Sequence, residues 1–94
     1  MHVVSRKALL AFALSHADAA GPLDTWYRVA KSARWTNLVD LQRIYPATDS
    51  VEGFTIFNIK GNAYRLITRI NDRSQTIFVR GVYTHAAYDL GEWK

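Results

Sequence analysis

The spacing of apolar residues divides this chain into a helical first half and a strand-forming second half. Val3 and Val4 read as a short first strand, ended by Ser5, a residue of helix N-cap type. Ala8, Leu9, Phe12, Ala13 and His16 then recur at helical intervals. A break from Asp18 to Gly21 leads into a second helix, which tolerates Pro22 in its first turn. Its buried stripe is Leu23, Trp26, Tyr27, Ala30 and Ala33, and Arg28, Lys31 and Arg34 lie off that stripe. Asn37 is placed to cap a short third helix from Leu38 to Ile44, with Asp40 positioned as in a capping box and Pro46 as the stop.

From Phe54 onward the period falls to two. Phe57 and Ile59 alternate with Asn58 and Lys60, and Gly61-Asn62 is a two-residue turn with glycine where a type II′ turn needs positive φ. On the returning strand Tyr64, Leu66, Thr68 and Ile70 face one way, and Arg65, Ile67 and Arg69 the other. Asp72 to Gln75 forms a second turn, and Thr76 to Tyr83 a third strand with Ile77 and Val79 on one face. Helices followed by strands predict an α+β fold: N-terminal helices packed on one face of a small antiparallel β-sheet whose other face is polar and basic.

Composition narrows the picture. Ninety-four residues, 49% of them hydrophobic, suit one compact domain over residues 1–94. There is no cysteine, which excludes a disulfide scaffold and thiolate metal sites. No apolar run has the length of a signal peptide core or a membrane span, so the expectation is a cytoplasmic protein with no membrane association. The formal net charge is +4. Between Gly53 and Tyr88 the basic residues are Lys60, Arg65, Arg69, Arg73 and Arg80 against Asp72 alone, so the predicted sheet carries all of that excess.

Cations concentrated on a sheet beside a histidine and a tyrosine match the needs of RNA cleavage without a metal. The substrate's 2′-hydroxyl is the nucleophile. The protein must align it, move its proton, stabilise the phosphorane and protonate the leaving oxygen. Lys60 and Arg65 flank the hairpin turn, with Arg69 further along the same strand face. Arg80 joins from the adjacent strand if its register allows, and Asn62 and Arg73 extend the RNA contact. His85 suits proton transfer, and Tyr88, three residues on, suits stacking on a base or donating a hydrogen bond. Taken singly, each is ordinary: a solvated basic face, a surface histidine, a packing tyrosine. Their convergence on one face gives the reading its content. His2 and His16 read as structural, and Trp26, Tyr27 and Trp35 as core. The three histidines lack metal-ligand spacing, and no phosphate-binding glycine loop is present, so no cofactor is expected.

Beyond these patterns, nearly the whole chain resembles the HigB toxins of bacterial toxin–antitoxin pairs, a branch of the RelE-like ribonucleases. The likeness runs through His2-Val3-Val4-Ser5-Arg6-Lys7, Pro22-Leu23, Trp26-Tyr27 and Arg34-Trp35. It is densest at Phe57-Asn58-Ile59-Lys60-Gly61-Asn62, Tyr64-Arg65-Leu66, Thr84-His85-Ala86 and Tyr88-Asp89. The resemblance implies a RelE-like fold with the active site on the basic sheet surface, mRNA cleavage in the ribosomal A site, and neutralisation by a HigA-type helix-turn-helix antitoxin. Promoter DNA would be contacted only through that antitoxin. Lys60, Arg65, His85 and Tyr88 are the catalytic positions it implies, with Arg80 the basic residue of the last strand. Three residues depart from the family pattern: Gly81 stands in place of an aromatic, Tyr83 in place of glycine, and Ala87 in place of an acid. Gly81 is expected to loosen its strand and Tyr83 to crowd His85. Two other readings stay open: a non-catalytic RNA- or ribosome-binding inhibitor of translation, and a structural partner of a DNA-binding antitoxin.

Overall fold

Alternating apolar residues, interrupted by turns that favour positive φ, build the sheet around which everything else is arranged. The computed structural model describes residues 1–94. Strand β1 (His2–Val4) is followed by α1 (Arg6–Ser15), a 3₁₀ turn at Ala17–Ala19, α2 (Ala20–Ser32) and α3 (Leu38–Gln42). Strands β2 (Asp49–Val51), β3 (Phe54–Ile59), β4 (Tyr64–Asn71) and β5 (Thr76–Thr84) lead into α4 (His85–Asp89). No helix is long and apolar enough to cross a membrane.

The expected α+β class is found, with the N-terminal helices on one face of the sheet, but the sheet is larger than the predicted meander. Its order is β1-β5-β4-β3-β2. The four later strands are antiparallel neighbours, whereas β1 joins the edge of β5 in parallel, which makes the sheet mixed. Strand β2 was not anticipated because its Asp49 and Ser50 are exposed and carry no apolar alternation. The Asn37 cap is as expected, its side-chain oxygen accepting the Asp40 N–H at 2.9 Å. Asp40 departs from a capping box, because its carboxylate accepts from the Thr36 hydroxyl at 2.6 Å instead.

The core between helices and sheet is formed by Leu9, Leu23, Trp26, Ala30, Trp35 and Leu41 against Phe57, Ile59, Leu66, Ile77 and Val82. Trp26 meets Phe57 edge-to-face at 5.2 Å, an arrangement aromatic pairs favour. His16 stacks on Phe12 at 4.0 Å and belongs to the same packing.

The other face of the sheet is not uniformly polar. Ile56 and Ile67 sit directly opposite each other on it and are fully buried, because the C-terminal segment folds back and lays Trp93 over them. Val51, Phe54, Tyr83 and Tyr88 pack around this second, smaller cluster. A basic face was expected because Arg65 and Arg69 bracket Ile67; a strand's alternation cannot reveal that a distant tail covers the residue between them.

Trp93 is 2% exposed, so a Trp93→Ala variant should lose about 3 kcal/mol of stability, read as a lower urea midpoint. Unchanged stability would mean that the tail does not dock.

Candidate active site

The mouth of the β3–β4 hairpin and the start of α4 meet at one corner of this outer face. The hairpin loop is Lys60–Ala63, closed by the Ala63 N–H donating to the Lys60 carbonyl at 3.1 Å. Gly61 has φ 61°, the conformation for which glycine was expected at that position. Strand β5 runs out beside this loop, and Thr84 turns the chain into α4 by accepting the Ala87 N–H at 3.1 Å. His85 therefore opens α4, its backbone N–H held by the Ala63 carbonyl at 3.1 Å.

Asn62 joins the two halves. Its side-chain oxygen accepts from one terminal nitrogen of Arg65, and its backbone carbonyl lies 3.1 Å from His85 Nδ1. The same carbonyl accepts from the other terminal nitrogen of Arg65 at 3.2 Å. Arg65 reaches to 3.4 Å from His85 Nδ1. These contacts at Nδ1 are alternatives: the nitrogen donates to Asn62 when protonated and accepts from Arg65 when not. On the far side of the ring, Nε2 lies 3.0 Å from an Asp89 carboxylate oxygen, one helical turn along α4. The imidazole is thus oriented from both ends, yet its side chain is 43% exposed, open to a substrate.

Tyr88 lies on the same short helix. Its ring stacks on Trp93 at 5.3 Å with 3° between planes, and the Arg65 guanidinium sits 5.5 Å from its centroid. Burial pushes the Tyr88 phenol up from its ordinary value. The carboxylates of Asp49 and Asp89 add to that rise, and Arg65 works against it. The phenol is therefore a neutral donor at physiological pH.

The structure separates the remaining predicted residues. Lys60 is not turned toward His85: its ammonium makes an ion pair of 2.7 Å with Asp18. Asp18 also accepts from the Tyr64 hydroxyl at 2.6 Å, which ties the turn to the helical side. Arg69 and Arg80 lie further along the outer face, both beside the Phe54 ring, at 4.1 and 5.4 Å. The β4–β5 register explains Arg80. Ile67 pairs with Gly81 and Thr68 with Val79, so Arg80 is an extra residue in a β-bulge and shares the outer side with Gly81. Arg73 sits in the β4–β5 turn at the opposite end of the sheet, beyond the roughly 20 Å of strand that runs from Arg65 to Asn71. Tyr83 does not crowd His85. Its ring lies back over Gly81, where a Cβ would come within 3.1 Å of it.

Asp89 was missed as a site residue, although its four-residue spacing from His85 is the available signal once Thr84 is recognised as a helix cap. Trp93 left no such signal.

A helix-backed open sheet that exposes an oriented imidazole, a guanidinium and a phenol at one corner defines a small α+β protein equipped for proton transfer beside an anion. Residues 19–91 match the HigB toxin family, described as the RelE-like toxic component of a toxin–antitoxin system, and the chain belongs to that family. It is 26% identical over 92 residues to the mRNA interferase HigB of Escherichia coli O6:H1, covering 95% of this chain and 89% of that protein. The proteins named mRNA interferase HigB of Escherichia coli O157:H7 and Shigella flexneri are each 25% identical to it over 93 residues, with 96% of this chain and 89% of theirs covered.

The Asp18 clamp makes a pH prediction. Lys60 first, and then Tyr64, hold the Asp18 carboxyl below its ordinary value of 3.8. The same hydrogen bond raises the Tyr64 phenol above 10.0. Asp18 thus contributes stability that is full above about pH 4 and lost as pH falls through its lowered value. Tyr64 contributes stability that is full below about pH 10 and lost as pH rises through its raised value. Asp18→Asn should flatten both limbs of the stability–pH curve measured by thermal melting. Unaltered limbs would show that the clamp does not form.

Proposed function

We propose that this chain is a single-domain toxin that cuts mRNA on the translating ribosome, with Arg65, His85 and Tyr88 at the scissile phosphate. The toxin role comes with the family, and the relatives' shared mRNA interferase activity makes endoribonuclease the assigned chemistry. The observation that carries the site assignment is the Asn62 bridge, which holds the Arg65 guanidinium and the His85 ring side by side on an open surface.

The chemistry follows from those positions. Arg65 spends two terminal nitrogens on Asn62, but a guanidinium has five N–H donors, so it can still bind a non-bridging phosphate oxygen. It neutralises charge as the phosphorane forms, the moment at which a fixed cation contributes most. His85 exchanges the proton with the 2′-hydroxyl or the leaving 5′-oxygen. Asp89 and Asn62 fix its ring plane, and Arg65 and Asn62 provide alternative partners for Nδ1 as the proton moves. Tyr88, neutral and stacked, orients the base or the 2′-hydroxyl. Lys60 adds positive potential from the turn and needs release from Asp18 to touch phosphate. Arg69, Arg80 and Arg73 attract the flanking RNA at increasing distance. A HigA-type helix-turn-helix antitoxin is the proposed neutralising partner, with promoter DNA reached only through it, and the cytoplasm is the proposed site of action.

His85→Ala and Arg65→Ala should each lower cleavage by about a hundred-fold or more and abolish growth arrest while circular dichroism stays native. Mapping of mRNA 5′ ends after brief induction should show in-frame coding-region cuts that leave 5′-hydroxyl and 2′,3′-cyclic phosphate ends. Arrest with intact mRNA would replace the enzyme with a binding-only inhibitor. Full toxicity of both folded variants would remove these residues from the mechanism.

A further inference from the structure

The outer face holds a second feature that the cleavage chemistry does not use. A hollow of about 280 Å³ lies between Phe54, Arg69, Phe78, Val79 and Arg80. Its two guanidiniums have no carboxylate within ion-pairing distance, unlike Lys60, Arg6 and Arg28. Each is instead held in place by neutral groups. Arg69 lies over the Phe54 ring at 4.1 Å and against Gly53, where a Cβ would stand 3.2 Å from its terminal nitrogen. Arg80 donates its Nε to the Trp93 carbonyl at 3.0 Å, which leaves both terminal nitrogens free. Phe78 forms the opposite rim and is 47% exposed, an aromatic ring on a sheet face with solvent above it.

We propose that this hollow is a second RNA subsite, taking a nucleotide that flanks the scissile bond with its phosphate between Arg69 and Arg80 and its base on Phe78. The proposal rests on the reading of the chain as an RNA-cleaving toxin and names where the strand continues. Arg69 follows Arg65 by four residues on the same face of β4, about 13 Å of strand. Between them lie the partly exposed rings of Tyr88 and Phe54, on either side of the buried Trp93, which stacks on Tyr88 and meets Phe54 edge-on at 5.5 Å. Arg65, Tyr88, Phe54 and Arg69 therefore border the way from the cleavage corner to the hollow, each guanidinium beside an aromatic ring. That composition tracks a single strand irrespective of sequence, because cations take phosphates and every base has a face to stack. An acidic peptide would use the two arginines but has no need of Phe78.

The test uses the full chain and 2′-O-methyl oligoribonucleotides, whose blocked nucleophile keeps binding separate from cutting. Affinities for a trinucleotide and a nonanucleotide of the same central sequence are measured by fluorescence anisotropy over a salt series. Phe78→Ala should lower the ratio of nonanucleotide to trinucleotide affinity by about ten-fold. Arg69→Gln should reduce the nonanucleotide's salt slope by about 0.7. Both side chains are solvent-exposed, so the variants should fold. A ratio unchanged in both variants overturns the subsite, as does an equal loss for the two lengths. A fixed RNA ratio together with binding of a poly-glutamate peptide that depends on Arg69 and not on Phe78 overturns it in favour of an acidic protein partner. Cleavage of mRNA with an unchanged ratio removes the subsite alone. Absence of both cleavage and trinucleotide binding removes the reading beneath it as well.

Discussion

Everything on the outer face depends on how Ile67 is buried. Strand alternation puts it on the same side as Arg65 and Arg69, and its partner Ile56 stands directly across the β3–β4 ladder. Two fully buried isoleucines on a face that must also stay open to an anion create a conflict. The apolar area has to leave water, at roughly 25 cal/mol per Å², while the guanidiniums on either side must keep contact with it. Trp93 resolves the conflict by covering the isoleucines alone. Docking the tail in this way also fixes α4, because the Trp93 indole N–H donates to the Tyr88 carbonyl at 3.2 Å and its ring stacks on that of Tyr88. His85 lies on the same five-residue helix, which is too short to hold its shape unaided. The proposed catalytic imidazole is therefore positioned by hydrophobic burial some residues away in the chain, as well as by its own hydrogen bonds.

The β-bulge at Arg80 serves the same division of the surface. In a regular ladder the alternation that turns Val79 toward the helices would send Arg80 outward, Gly81 inward and Val82 outward. The extra residue lets Val79 and Val82 both remain on the core side although they are three apart, and sends Arg80 and Gly81 outward together. Gly81 then leaves room for the Tyr83 ring, which lies over it and joins the Ile56–Ile67 cluster. A glycine that would weaken an ordinary strand is here paired with a tyrosine two residues on, and the two fill one site together.

Local pattern explains how much could be read in advance. The helical stripe through Leu23, Trp26 and Ala30, the alternation across β3 and β4, and the positive-φ turn at Gly61 all depend on neighbours within a few residues, and each is found. What escaped depends on residues far apart. Strand β2 exists because it completes the sheet edge beside β3. Lys60 turns toward the helices because Asp18, forty-two residues earlier, stands there. Ile67 reads as one apolar position in a basic face until the tail is seen to cover it. The convergence of Arg65, His85 and Tyr88 was legible because the turn and the strand end lie at the same edge of a meander. Asp89 was not legible because the helix that brings it back to His85 begins only where the last strand stops.

Two kinds of arginine follow from this arrangement. Arg65 is oriented by an amide and a backbone carbonyl of Asn62, groups whose positions are set by the turn itself. Such a donor does not need to reorganise when charge develops, and for that reason preorganised hydrogen bonds lower barriers more than mobile ones. Arg69 has only the faces of Phe54 and Gly53 to lean on and remains exposed. A guanidinium held by stacking can slide over a ring without losing the contact, which suits binding successive phosphates more than stabilising one fixed geometry. The proposed chemistry accordingly sits where the backbone of the hairpin turn supplies the restraint. The proposed strand path lies where aromatic faces supply support without fixing direction.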